Sequence, residues 1–302
     1  MVTDLRGAVR SDRAAWRWYV SGVKTPRDRL KQALRIQSRL RSELSYVLEI
    51  GGLACFAAYL GKLAEAAPEV LRKRSLEPAD RRMKGRRFAF AAEGQEVSLD
   101  GSAIGLAREI YGRRCYFSPP GFGIGPGDTV VELGAQVGVF TTLAAKLARQ
   151  VVAVEAQIGF VEELRENLRE NGCLEKVSIE HGLIGGSRGM LSDEAELRSA
   201  SHYRGVAPPP ISMNDLLKKH AVEAIDFLKM DIEGSEFDVI LRDNEWLSIT
   251  RRIAMEVHCD YGSVDDLRAA LVSRGFRVWL FDEESRPTER LPGRSGFLFG
   301  LV

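Results

Sequence analysis

From residue 129 onward, short apolar runs alternate with amphipathic segments at a regular rhythm. Strand candidates fall at 129–133, 151–155, 176–181, 225–231, 252–258, 275–281 and 295–301. Helix-period segments fall between most of them, at 137–148, 158–171, 212–220, 235–243 and 263–273. Seven strands with intervening helices predict a doubly wound α/β sheet. The last two strands lie about 14 residues apart with no helical pattern between them. That gap predicts a terminal antiparallel strand on a mostly parallel sheet.

The first part of the chain has a different texture. Residues 11–84 read as helical, with Leu30, Leu34, Ile36, Leu40, Leu44 and Val47 at three-and-four spacing among many arginines. Ile50–Leu60 is uncharged but about half the ~20 residues of a membrane span, which predicts a buried helix of a helical cap. Pro68 and Pro78 are expected to punctuate the helices, and Arg81–Arg87 reads as a solvated, hinge-like linker. Phe88–Leu99 alternates as a hairpin does, Ile104–Gly112 suggests a short helix, and Ser118–Gly127 is a Pro/Gly-rich loop. These signals place a basic helical region at residues 1–87 and the α/β domain at 88–302.

Composition narrows the class. Hydrophobic content of 45% and charged content of 28% are ordinary for a soluble globular chain. The four cysteines, Cys55, Cys115, Cys173 and Cys259, form no C-x-x-C pair, which excludes a zinc ribbon and points to a reducing, cytoplasmic setting. No apolar run follows the charges of the first 16 residues, so a secretory signal is not expected. The net charge of +1 conceals an asymmetry: residues 1–87 carry 20 Lys+Arg against 9 Asp+Glu, and the remainder 23 against 33. Such a basic arm is suited to nucleic acid, an anionic membrane, its own acidic body, or a homodimer through the N-terminal helices.

The candidate chemistry starts at Thr129–Phe140, TVVELGAQVGVF, which reads as a buried strand, a tight loop and a helix start. Gly134 and Gly138 are four apart, with Ala135 and Gln136 between, so the G-x-G-x-x-G of a dinucleotide site is missing. This disfavours a nicotinamide-dependent oxidoreductase. Glu132 at the strand end suits a ligand with an ammonium group and no phosphate, as S-adenosylmethionine is. Glu155 ends the next strand about 20 residues on, where a carboxylate accepts from ribose hydroxyls, although an acid there also suits the next helix N-terminus. In Asp226–Ile240, Asp231 sits at a strand's carboxyl end, Glu233 follows, and Glu236 is read as an acid at a helix start. Glu256, His258 and Asp260 share one face of the following strand. There His258 is the natural general base, and His181, His202 and His220 are given structural roles. A divalent metal on Asp231, Glu256 and His258 is conceivable but not favoured, since the spacing is not diagnostic.

These residues resemble a known family. VVELGAQVGVFT, VVAVEAQIGFVEELRENLREN, ISMNDLL with IDFLKMDIEGSEFDVI, and AMEVH are similar to the FkbM-type methyltransferases over about residues 108–282. Glu132 stands where the family usually has Asp, Gln136 where it has Asn, and Ala156 where it has Pro. The resemblance implies a class I methyltransferase fold, S-adenosylmethionine as cofactor, and methylation of a hydroxyl on a small molecule such as a polyketide or sugar. On this reading Glu132, Gly134, Ala135, Gln136, Gly138, Glu155, Ala156 and Asp231 hold the cofactor. Asp231 and His258 act on the acceptor, and Tyr116–Phe122 forms part of a lid. The rival reading is a non-catalytic methyltransferase-like body whose basic arm engages a partner.

Overall fold

The computed structural model describes residues 26–185, 207–242 and 244–302, with side chains from residue 38 onward. The chain divides into two compact units, one ending at Arg113 and one running Arg114–Val302.

In the first unit, helix α1 (Pro26–Lys73) is broken at Gly52, whose φ of 66° is left-handed, and then continues through Pro68. The expected break at Pro68 is absent: this residue lies on the exposed face, where one lost backbone bond is tolerated. Val47, Ile50, Cys55, Tyr59 and Ala66 are buried, while Leu53 and Leu60 are exposed, so α1 is half-buried along Ile50–Leu60. Ser38–Lys73 is long and apolar enough to cross a membrane by length and composition. Helix α2 (Glu77–Arg82) starts at Pro78, whose fixed φ suits a first turn. The run Arg81–Arg87 is therefore no linker: Arg82 pairs with Glu69, Met83 is buried, and Arg87 opens a strand.

Strands β1 (Arg87–Ala92) and β2 (Gln95–Asp100) form the predicted hairpin. Glu93 and Gly94, both at positive φ, make the two-residue turn. Phe88, Phe90, Val97 and Leu99 alternate inward. Residues 101–112 are helical and close on a single π turn. Here Arg108 forms a buried knot: its guanidinium reaches Asp80 at 2.8 and 3.0 Å, Glu43 at 2.9 Å and the Tyr59 hydroxyl at 2.8 Å. Because residue 108 is tied to residues 43, 59 and 80, the first unit extends to Arg113 rather than ending at residue 87.

The second unit is one eight-stranded sheet. It contains β3 (Thr129–Leu133), β4 (Gln150–Glu155), β5 (Val177–His181), β8 (Phe227–Met230), β9 (Arg252–His258), β10 (Arg277–Phe281), β11 (Pro287–Thr288) and β12 (Ser295–Leu301). Their order is β11-β10-β12-β9-β8-β3-β4-β5. Strands β5, β4, β3, β8 and β9 pair in parallel, and β12 runs antiparallel between β9 and β10. All seven expected strands are present, and the antiparallel insertion matches the expectation. This is the strand order of a class I methyltransferase fold. Two short pieces lacked a sequence signal: β11 on the edge, and the parallel pair β6 (Leu183–Ile184) and β7 (Pro210–Ile211).

Local chemistry explains the elements. TVVEL and FLKM are buried at every position, as strands covered on both faces must be. Helices α3 (Val139–Leu147), α4 (Ile158–Glu170), α5 (Met213–Lys219), α6 (Glu236–Leu241) and α7 (Val264–Ser273) lie between strands. Helix α4 buries Val161, Leu164 and Leu168 at helical spacing, and Ser212 and Ser263 cap α5 and α7. The chain leaves β3 for β4 and β5 on one side and later returns to β8 on the other. The topological switch point, where α/β sheets bind ligands, thus lies at the carboxyl ends of β3 and β8.

The Tyr116–Phe122 segment is packed rather than lid-like. Tyr116, Phe117 and Phe122 are buried, with Phe117 stacked on Phe140 and Phe122 edge-on to Phe299. Its aromatic rings, which suggested a cover over a ligand, instead fill the core.

The Arg108 knot generates a stability test. Arg108→Met leaves Asp80 buried without its counterion and Glu43 with only Arg113 at 3.7 Å, and urea unfolding of the full chain should show a loss of about 3–5 kcal/mol. A loss below about 1 kcal/mol would mean the knot is solvated.

Candidate active site

The loop after β3 is built on three left-handed residues, Gly134 (φ 82°), Gln136 (φ 49°) and Gly138 (φ 83°). A Cβ on Gly134 would lie 1.8 Å from the Asp231 carbonyl, and one on Gly138 would strike Leu164. Both positions therefore require glycine for space as well as for φ. The amides of Gly134 and Ala135 both donate to Val154 O at 3.0 Å, tying the loop to β4. Gln136 N donates to Glu155 Oε2 and Gln157 N to Glu155 Oε1, each at 2.7 Å. Burial raises the Glu155 pKa despite these two donors. Each of its oxygens keeps lone-pair capacity for a ligand hydroxyl. The carbonyl of Ala156, next in the chain, lies 3.0 Å from His181 Nε2, which gives that histidine a structural role.

Beneath the loop lies Lys229, buried at 3% exposure in the middle of β8. Its ammonium donates to Gly134 O at 2.7 Å and lies 3.5 Å from Glu132 Oε1 and 3.9 Å from Asp231 Oδ2. Glu132 Oε2 accepts from the Thr141 hydroxyl at 2.6 Å. Burial pushes the Glu132 carboxyl up to about 7, against the opposing pull of Lys229 and Thr141. With both oxygens engaged inside the protein, Glu132 braces the loop. At 1% exposure it presents no surface for the expected contact with a ligand ammonium.

The acidic side of the site is assembled by β8, β9 and the start of α6. Met230 pairs with Met255, so Asp231 and Glu256 follow at adjacent strand ends. Asp231 Oδ2 accepts from Tyr116 Oη at 3.1 Å. Glu236, read from sequence as a helix-start acid, is fully buried. Its Oε1 accepts from Ile232 N and lies 3.0 Å from His258 Nδ1. His258 Nε2 lies 3.4 Å from Glu233 Oε2. Burial alone would lower the His258 pKa, but the hydrogen bond to Glu236 and the charges of Glu236, Glu256 and Asp231 outweigh it and hold it at about 10. An imidazolium has no lone pair for a proton, so His258 at neutral pH lacks the protonation state of the expected general base. Asp260 is occupied by Arg294 on the rim, His220 pairs with Glu180, and His202 lies outside the described residues.

The structure thus brings Glu132, Gly134, Ala135, Gln136, Gly138, Glu155, Ala156, Asp231 and His258 to one end of the sheet. Residues 132–278, which contain all of them, match the methyltransferase FkbM domain. This part of the chain is similar to the FkbM methyltransferase family. No curated protein matches the chain. Among solved structures, an rRNA methylase from Streptococcus thermophilus overlaps 64% of this chain and 96% of its own, at 13% identity and a TM-score of 0.37. A Streptococcus mutans protein in complex with SAH covers 63% and 96% at 12% identity and 0.37. A precorrin 8w decarboxylase from Methanobacterium thermoautotrophicum covers 62% and 86% at 18% identity and 0.36. At these scores the fold assignment rests on the chain's own strand order.

Reasoning from sequence missed Lys229 and Thr141 as parts of the site, and it gave Tyr116 and Glu236 other roles, as part of a lid and as a helix-start acid. Lys229 had a readable signal, a charge inside the otherwise apolar strand FLKM. The partners of Tyr116 and Glu236, Asp231 and His258, are acquired only through tertiary packing.

The raised His258 pKa implies a pH dependence. The group contributes stability that is fully present below about 6.5 and is lost as pH rises toward about 10. In chelator-treated samples, the melting temperature of the wild type should exceed that of His258→Gln at pH 6. The gap should narrow steadily by pH 10, and a gap independent of pH would show that His258 is not charged.

Proposed function

We propose that the protein transfers a methyl group from S-adenosylmethionine to a hydroxyl of a small molecule. The observation that carries this is Glu155, a buried carboxylate aligned by two loop amides at the end of β4. The donor set fits this cofactor. Carboxylates dominate the crevice, and its buried cation, Lys229, is already held by Gly134 O and Glu132. A pyrophosphate would meet acids there, whereas a ribose diol and an ammonium group meet acceptors.

When bound, the cofactor supplies a methyl group on a sulfonium, an electrophile with a good leaving group. The chain supplies the remainder. Glu155 accepts from the ribose hydroxyls, and the loop Gly134–Gly138 leaves room for the ligand because glycine stands at both ends. Asp231 lies between cofactor and acceptor, with Oδ1 making no hydrogen bond among the described residues. It is placed to accept from the attacking hydroxyl, and His258 faces the charge that develops as the proton leaves. Alignment of donor and acceptor contributes up to ~7–11 kcal/mol in favourable cases. The cysteines, free and mostly buried, fit a reducing cytoplasm.

Calorimetry with S-adenosylhomocysteine tests the cofactor half. Glu155→Ala should weaken binding by about 10–100-fold, the loss expected of charge-assisted hydrogen bonds, with the circular dichroism spectrum unchanged. Unchanged affinity would remove the ribose assignment, and preference for NAD would remove the reaction class. On the acceptor side, His258→Gln should lower kcat by about 10²-fold or more, the loss expected of a group that stabilises developing charge, while leaving the S-adenosylhomocysteine Kd within a few-fold.

A further inference from the structure

We infer that Asp231, Glu256 and His258 form a divalent-cation site on the acceptor side of the crevice. The inference rests on the methyl-transfer reading for its role in the reaction, but not for the site itself. One ligand atom from each residue lies within 4.8 Å of the others. A cation held at ~2.1–2.4 Å separates opposite ligands by roughly 4–5 Å, so the three atoms already span a cation's coordination shell.

Each group presents an atom for the task. Tyr116 and Lys229 lie on Asp231 Oδ2, and Oδ1 accepts no hydrogen bond among the described residues. His258 Nδ1 is turned to Glu236, so Nε2 becomes the ligand nitrogen when the incoming cation displaces its proton. Glu256 and His258 are two apart on β9 and share a face. Behind them, Glu236 has no exposure, and its Oε2 is buried without a hydrogen-bond partner among the described residues. A buried carboxylate on the far nitrogen is how ligating imidazoles are commonly oriented.

Charge points the same way. Asp231, Glu233, Glu236 and Glu256 converge on His258, and the nearby ammonium of Lys229 is tied to Glu132 and Gly134 O. A solvated acidic rim would account for the half-exposed Glu233, but not for Glu236 at zero exposure. Two carboxylates with one imidazole favour Mn²⁺ or Mg²⁺ over thiophilic metals. A cation here polarises the acceptor hydroxyl. In the transfer, the O–CH₃ bond forms, the S–CH₃ bond breaks, and the hydroxyl proton leaves to water.

The test is a titration of MnCl₂ into the metal-stripped full chain, followed by electron paramagnetic resonance, with S-adenosylhomocysteine binding measured separately by calorimetry. We expect one Mn²⁺ per chain, displaced by excess Mg²⁺ and retained in Glu155→Ala. Affinity should fall by about tenfold or more in Glu256→Gln and by about 10–100-fold in Glu236→Gln. Absence of binding, or equal binding by wild type, Glu256→Gln and His258→Ala, overturns the site. If S-adenosylhomocysteine binds and Mn²⁺ does not, the cation site alone fails. If Mn²⁺ binds with the expected variant losses and S-adenosylhomocysteine does not, the site stands and the methyl-transfer reading fails.

Discussion

Lys229 occupies the central strand of the sheet, where an uncompensated ammonium would be strongly disfavoured. It is accommodated because Gly134 O, Glu132 and Asp231 surround it and the Tyr116 ring lies 5.2 Å from its nitrogen. Those contacts come from the strand before the glycine loop, the loop itself, the end of β8 and the aromatic segment. One buried cation therefore fixes the mutual position of the Gly134–Gly138 loop and Asp231. Glu132 follows from the same constraint: its carboxylate is turned inward against Lys229 and Thr141.

The first unit solves a similar problem independently. Arg108, desolvated against Asp80, Glu43 and Tyr59, joins four separated stretches of chain around one guanidinium. In both units an ion in the interior does what apolar packing alone does less specifically, since a charge tolerates few alternative partner arrangements. The acidic end of the second unit lacks this balance. There carboxylates outnumber the cations that face them, and the crevice has a standing affinity for positive charge.

Much of the fold was legible because it depends on periodicity. TVVEL, QVVAVE, FLKM and IAMEVH are runs that only a covered strand can bury, and α4 shows its core stripe in Val161, Leu164 and Leu168. The hairpin at Phe88–Leu99 was legible as strands but not as part of the first unit, since alternation shows that a face is buried and not what covers it. Pro68 misled for a related reason: a breaker's effect depends on which face it occupies. At the site, strand ends and glycines were visible as positions. The direction in which Glu132 and Glu236 turn, and the protonation of His258, depend on neighbours more than 20 residues away in the case of His258 and Glu236. The two-residue strands β6, β7 and β11 are too short to carry a pattern.

The contact between Gly134 and the Asp231 carbonyl carries a consequence for divergence of this scaffold. The backbone of the glycine loop packs against the backbone that carries Asp231, with no side chain between them to absorb change. Any residue larger than glycine at 134 moves both halves together. On the proposed reading, altered acceptor preference is therefore most accessible through residues that leave this seam intact, such as those on β9. A search for new acceptors would do better to vary those positions and hold the seam constant.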